Sequence, residues 1–274
     1  MHVWIIARRE MQLGFRNPWS YSFLLLFSVF SLAMLLIQSN NSMGLQGYTH
    51  ATGMMINLTL YLLPMMTLLL GSFSLTGEKE DGSWHLLSTY SVSTSAYLIG
   101  KYLGLTAVLL AIVATGFGLF GVVGVLLGQS VTLTGLLTFL LFSVAVLVLY
   151  LGLALVVGAI AQNRWQALTY GVGIWFITVL AWPTLLIAVL NLLPYPAIKP
   201  TLGLLTLLNP AELVRVVTVI KLGGGAVFGP EYYQWIDWIH GKWGTVSALV
   251  FALLWLNGCV GAASWIWERG RGRG

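Results

Sequence analysis

Along the chain, apolar residues gather into long runs broken by short polar stretches. Six of the runs reach about 20 residues or more, the length of helix that crosses a ~30 Å hydrocarbon layer. They fall at about 19–38, 54–76, 97–127, 132–161, 166–193 and 245–267, leaving a long connection at 194–244 between the fifth and sixth. None shows the alternation of barrel strands, and a chain inside lipid must satisfy its backbone within a helix or a closed barrel, so the runs read as helices. The third and fourth are longer than a bilayer needs, which implies tilt or projection beyond its surface. The pattern predicts an all-α membrane protein, one domain over residues 1–274, with six transmembrane helices.

Composition excludes the soluble alternative: 58% of residues are hydrophobic, mean hydropathy is +0.88, and 13 basic with 8 acidic side chains cannot coat a 29.9 kDa globule. The first run follows Arg8, Arg9 and Arg16 as a signal peptide would, but it is too long for a typical signal core and no clear cleavage site follows, so it reads as an anchor. Cys259 is alone in the last run, which rules out a disulfide framework.

The basic residues orient the bundle. With the N-terminus in the cytoplasm, Arg8, Arg9, Arg16, Lys79, Lys101, Arg164, Arg269, Arg271 and Arg273 lie inside, and Lys199, Arg215, Lys221 and Lys242 lie outside in one connection. Both termini are thus expected on the cytoplasmic side of the cell (inner) membrane. The pI near 9.4 is then a signal of topology and of attraction to the lipid bilayer, with no patch suited to nucleic acid. The tail "WERGRGRG" hints at RNA through its Arg-Gly pairs, but three arginines just inside a membrane helix are commonly a stop-transfer anchor.

The chemistry that is missing narrows the function. No ionisable residue stands near the midpoint of a run, where proton-coupled carriers and voltage sensors need one. No nucleophile–base pairing or His-Glu-x-x-His motif appears, the histidines at 2, 50, 85 and 240 fall outside the runs, and Gly100-Lys101 and Gly241-Lys242 lack the spacing of a phosphate-binding loop. Ser72, Ser74, Thr106 and Thr169 read as helix-packing or back-bonded groups. The chain is therefore expected to be no enzyme and to carry no cofactor. Any nucleotide energy must come from a partner.

The segment "GEKEDGSWHLL", residues 77–87, is where such a partner could grip. Gly77 is expected to end the second run, and Glu78, Lys79, Glu80 and Asp81 to hold the following turn in water. Gly82 and Ser83 would then turn the chain and cap a short helix through Trp84, His85, Leu86 and Leu87. Docked through Trp84 and Leu87 into a groove, such a helix would pass a partner's movement to the second and third spans. An ordinary solvated loop is the alternative. At the N-terminus, Trp4, Ala7, Met11 and Phe15 share one helical face, with Arg9, Gln12 and Arg16 pointing away, as in a helix lying in the headgroup layer. A plain positive-inside flank is the bland reading there.

In the outer connection, "LNPAELVRVVTVIKLGGG" reads as a capped helix with Asn209 at the N-cap, Pro210 first, Glu212 third, an apolar face of Leu213, Val216, Val217 and Ile220, and Gly223 as the stop. Tyr232, Tyr233, Trp235, Trp238 and Trp243 suit an interfacial aromatic belt seating a second short helix.

Residues 77–101, "GEKEDGSWHLLSTYSVSTSAYLIGK", resemble the first cytoplasmic segment of ATP-binding-cassette exporter permeases of the ABC-2 class. Gly77, Glu78, Glu80, Gly82, Leu86, Leu87, Ser93, Gly100 and Lys101 fit that pattern, while Ser83, Trp84, Ser91 and Thr94 depart from it. "IARREMQLGFRN", with Arg9 and Glu10 ahead of the first span, is similar to the entry segment of the same permeases. The resemblance implies a six-span permease with an interfacial N-terminal helix and a cytoplasmic coupling helix at residues 77–87. It also implies a cytoplasmic ABC ATPase as partner, ATP and Mg bound on that ATPase, and a second permease copy. The segment Asn209 to Arg215, Asn-Pro-x-Glu-x-x-Arg, further resembles the branch of these permeases that serves nitrous-oxide-reductase maturation. That likeness implies an extracytoplasmic accessory protein meeting Asn209, Pro210, Glu212, Arg215, Trp235 and Trp238, in the service of a copper enzyme.

Copper suggests one further set. Met43, His50, Met54 and Met55 gather at the outer end of the first hairpin and offer thioether and imidazole ligands, although methionine in an apolar helix is commonly filler and no regular spacing supports a relay. Gly100-x-x-x-Gly104 and Gly124-x-x-x-Gly128 allow close helix approach within one chain or between two. The rival to a permease is a non-transporting membrane scaffold or assembly factor.

Overall fold

A computed structural model of the chain describes residues 2–39, 48–82, 93–128 and 132–271. The described residues are helical with no strand. In order they form α1 (His2–Arg16), α2 (Pro18–Ser39), α3 (His50–Glu80), α4 (Thr94–Leu126), α5 (Leu133–Ile160) and α6 (Arg164–Trp175). A widened π turn (Phe176–Ala181) joins α6 to α7 (Trp182–Asn191); then follow α8 (Tyr195–Leu208), α9 (Pro210–Lys221), two short 3-10 turns, α10 (Tyr233–His240) and α11 (Gly244–Arg271). Six of these stretches are long and apolar enough to cross a membrane: Pro18–Leu36, Thr52–Glu80, Thr94–Leu126, Leu133–Ile160, Arg164–Asn191 and Gly244–Arg269. They match the six apolar runs to within a few residues, except that the second extends further.

Helix starts follow capping chemistry. Thr49, Ser93, Thr132, Asn163 and Asn209 each turn a side-chain oxygen onto a free N–H of the first turn of the helix that follows. The α9 reading holds in detail, from Pro210 in first position to Gly223, whose φ of +85° is open to glycine and costly elsewhere.

Packing differs from expectation in four places. The second span does not stop at Gly77; α3 runs to Glu80 with Asp81 as its C-cap, because the charged side chains of its last turn find partners on other helices. On α1 the buried face is Ala7, Glu10 and Gly14, while Trp4 and Phe15 are exposed. A Cβ on Gly104 would fall 2.6 Å from both the Ala7 carbonyl and the Glu10 side chain, so Gly100 and Gly104 admit α1 of the same chain. The outer connection holds an extra helix, α8, which meets α9 at 109°. Finally, Trp235 and Tyr232 are buried, so they belong less to a belt than to a second core with Leu186, Leu202, Leu213, Val216, Ile220 and Ile239. Tyr233 and Trp243 remain exposed.

Candidate functional site

The polar side chains that join helices lie in two places. One, the charged end, collects the N-terminal part of α1, the C-terminal ends of α3, α5 and α11, and the N-terminal ends of α4 and α6. The other, the far end, joins α7 to α10 and the π turn to the parts of α3, α5 and α6 away from the charged residues.

At the charged end, Lys101 of α4 is 1% exposed and sits among three helices. Its ammonium lies 2.9 Å from Glu10 Oε2 and 3.1 Å from Glu78 Oε1. It also donates to Ser74 Oγ at 2.7 Å and to the Ser74 carbonyl at 3.1 Å. Ser74 Oγ in turn donates to Glu10, and the Tyr97 hydroxyl donates to Glu78. Arg9, largely exposed, approaches Glu78 to 4.0 Å from the outer side. A lysine this deep is tolerable only because two carboxylates and a serine replace its water.

The next two residues go elsewhere. Lys79 donates to the carbonyls of Gly158, Ala159 and Ala161 at 3.0, 2.8 and 2.7 Å, closing the free C-terminal end of α5, and its ammonium lies 5.0 Å from the Trp267 ring centre on α11. Glu80 reaches the start of α6, where Oε1 accepts the Arg164 N–H at 2.8 Å and Oε2 pairs with Arg164 Nε at 3.2 Å. Gly77 makes room for that guanidinium, since a Cβ there would stand 2.8 Å from Arg164 Nη2. Three consecutive residues thus fan out to α1 and α4, to α5 and α11, and to α6. The charge is concentrated here because the run is a junction and not a solvated spacer. Glu80 and Asp81 are both exposed, but Glu80 is held by Arg164.

The other residues singled out in the sequence are scattered. Ser83, Trp84, His85, Leu86 and Leu87 lie outside the described residues, as does Met43. Arg8 and Arg16 are exposed on α1. Met54 is exposed and Met55 is 2% exposed within the core, so the two methionines diverge. Ser72, Thr106 and Thr169 bond back to carbonyls four residues earlier; Ser74 is the exception.

At the far end the polar groups are mostly neutral. Trp175 Nε1 donates to the Tyr61 carbonyl at 2.8 Å, the Tyr150 hydroxyl to Thr178 Oγ1 at 2.8 Å, and Asn209 Nδ2 to the Thr178 carbonyl at 2.7 Å. Glu212 is buried and paired with Arg215 at 2.8 Å, beside a cavity of about 70 Å³ that Asn57, Thr178 and Pro183 also line. Burial first, and then the Glu212 charge, pushes the Tyr232 phenol up to about 12, so it stays neutral at physiological pH. Asn209 and Glu212 face inward here, leaving Trp238 and half-buried Arg215 as the nearer candidates for an outer contact; Trp235 stacks edge-on against Trp238 at 5.1 Å. No group of three or more His, Cys, Asp or Glu among the described residues is placed to hold a metal ion.

Six apolar helices closed at one end by a buried charge junction define a multi-pass helical membrane protein, built to hold helices in register. A family model described as "ABC-2 family transporter protein" matches residues 4–269. The chain belongs to that family and is a transmembrane permease of the ABC transporter class. It is 30% identical over 234 residues to a probable ABC transporter permease protein NosY of Stutzerimonas stutzeri, covering 83% of this chain and 85% of the relative. The corresponding protein of Pseudomonas aeruginosa matches to the same extent.

Proposed function

We propose that this chain is the membrane subunit of an ABC exporter, coupling ATP hydrolysis by a partner ATPase to export of a substrate or to work on an extracytoplasmic partner. The observation that carries it is the fan of Glu78, Lys79 and Glu80. The segment just after them holds Trp84, His85, Leu86 and Leu87, the docking part of the coupling sequence at 77–87, and the fan ties its root to α1, α4, α5, α6 and α11. A push on that segment therefore reaches five helices besides α3 and not one helix. The asymmetry of basic residues supports a cytoplasmic position for this end, within reach of an ATPase carrying ATP and Mg. Two copies of the chain would each dock one ATPase. The likeness to NosY permeases supports a role in assembling the copper site of nitrous oxide reductase.

Co-purification with the ATPase, followed by measurement of ATP turnover, tests the reading. Trp84→Ala combined with Leu87→Ala should release the ATPase while leaving the permease folded. Glu78→Gln should keep the ATPase bound but weaken the link between its turnover and the transported or partner-directed step. An ATPase that stays bound when residues 83–90 are replaced by a glycine–serine linker contradicts the docking role.

A further inference from the structure

The fifth span breaks its helical register once, and the outer connection repairs the break. The turn Phe176–Ala181 has the π register, in which a carbonyl is met by the N–H five residues on. In that register the Thr178 carbonyl would be met by residue 183, which is proline and has no N–H. Asn209 supplies the missing donor through Nδ2, at 2.7 Å from the Thr178 carbonyl. The other half of the same amide caps α9, its Oδ1 accepting the Ala211 N–H at 3.0 Å. Asn209 is 1% exposed, so neither contact is shared with solvent. At the same residue, the Tyr150 hydroxyl of α5 donates to Thr178 Oγ1, which donates to the Ile174 carbonyl at 2.7 Å.

We infer that Asn209 is a positioning residue that latches the widened turn of the fifth span to the outer pair α8–α9, so that the pair travels with that span. Drawing α9 away would leave the Thr178 carbonyl without its donor, and that cost opposes separation. The side-chain ties of this assembly to its neighbours include the Tyr150 hydroxyl on Thr178 Oγ1, the Trp175 Nε1 bond to the Tyr61 carbonyl and the Arg164–Glu80 pair, and none of them supplies a second donor to the Thr178 carbonyl. The latch stands on this geometry; its use, carrying movement to the far surface, rests on the coupling reading above.

Two substitutions in the full-length chain separate the latch from ordinary capping. Asn209→Ser keeps an oxygen that caps α9 but is too short to reach Thr178. Pro183→Ala restores an N–H to the fifth span. In lipid nanodiscs, spin labels at Tyr170 and Leu208, both exposed, report the distance across the turn. Asn209→Ser should widen that distance distribution and speed thermal unfolding roughly tenfold. Adding Pro183→Ala should return both readouts towards the parent, because the carbonyl again has a donor. If Asn209→Ser changes neither readout, or if the two substitutions merely add, the latch is overturned. These outcomes do not depend on ATPase binding, so a failed co-purification would remove the coupling reading and leave the latch standing.

Discussion

The two ends of this bundle are fastened by different chemistry. At the charged end, Glu10, Glu78 and Lys101 meet with almost no exposure, and Lys79 and Glu80 carry the same run of sequence to three further helices. At the far end Trp175 and Tyr150 each donate one neutral hydrogen bond, Asn209 makes two, and the one ion pair, Glu212 with Arg215, stays within a single helix. Buried full charges tolerate little displacement, because separating them leaves an uncompensated ion; neutral contacts can be exchanged at about 1 kcal/mol each. A clamp at one end and looser contacts at the other let the helices pivot about the clamp. For a permease worked from its charged end, that is the useful arrangement.

The contrast is breakable in graded steps. Lys101→Met leaves two buried carboxylates without their cation and should cost about 3–5 kcal/mol, read as loss of folded protein in a detergent melting assay; adding Glu10→Gln and Glu78→Gln should recover much of it. Lys79→Ala removes three charge-assisted bonds to the end of α5 and should cost about 1–3 kcal/mol in the same assay. Trp175→Phe at the far end should cost about 0.5–1.5 kcal/mol, apart from any change in packing. Glu80→Ala, whose pair with Arg164 is half-exposed, should stay within about 1 kcal/mol and weaken further in salt. A melting series in which Trp175→Phe outweighs Lys101→Met would reverse the comparison.

Much of the fold was legible in the sequence because hydrophobic length in lipid is a strong signal: six runs gave six candidate spans, and Asn209-Pro210 marked the start of α9. The charged end was misread in its local structure. Four charges in a row read as a solvated turn, whereas burial depends on partners far away in sequence, 64 residues from Glu10 to Ser74 and 91 from Glu10 to Lys101. A hint existed on α1: the lone acid Glu10 is spaced three and four residues from Ala7 and Gly14, on a face of small residues that lets helices touch. No helix was expected at α8, which falls in the 194–244 connection and carries Pro196 and Pro200. Pro196 falls in the first turn, where no N–H is needed, and Pro200 is carried inside the helix. The latch at Thr178 was hidden because a π turn leaves no trace in hydrophobic periodicity, although Pro183 marked the place.

The account depends most on the end of α3 facing the cytoplasm, where an ATPase can reach the segment that follows. Asp81 is exposed and outside the buried junction, so Asp81→Cys in a Cys259→Ala background offers one thiol at that point. Treated with a membrane-impermeant maleimide, this thiol should stay unlabelled in intact spheroplasts and become labelled once they are lysed. Labelling in the intact spheroplasts would put the junction on the outer face and contradict the account.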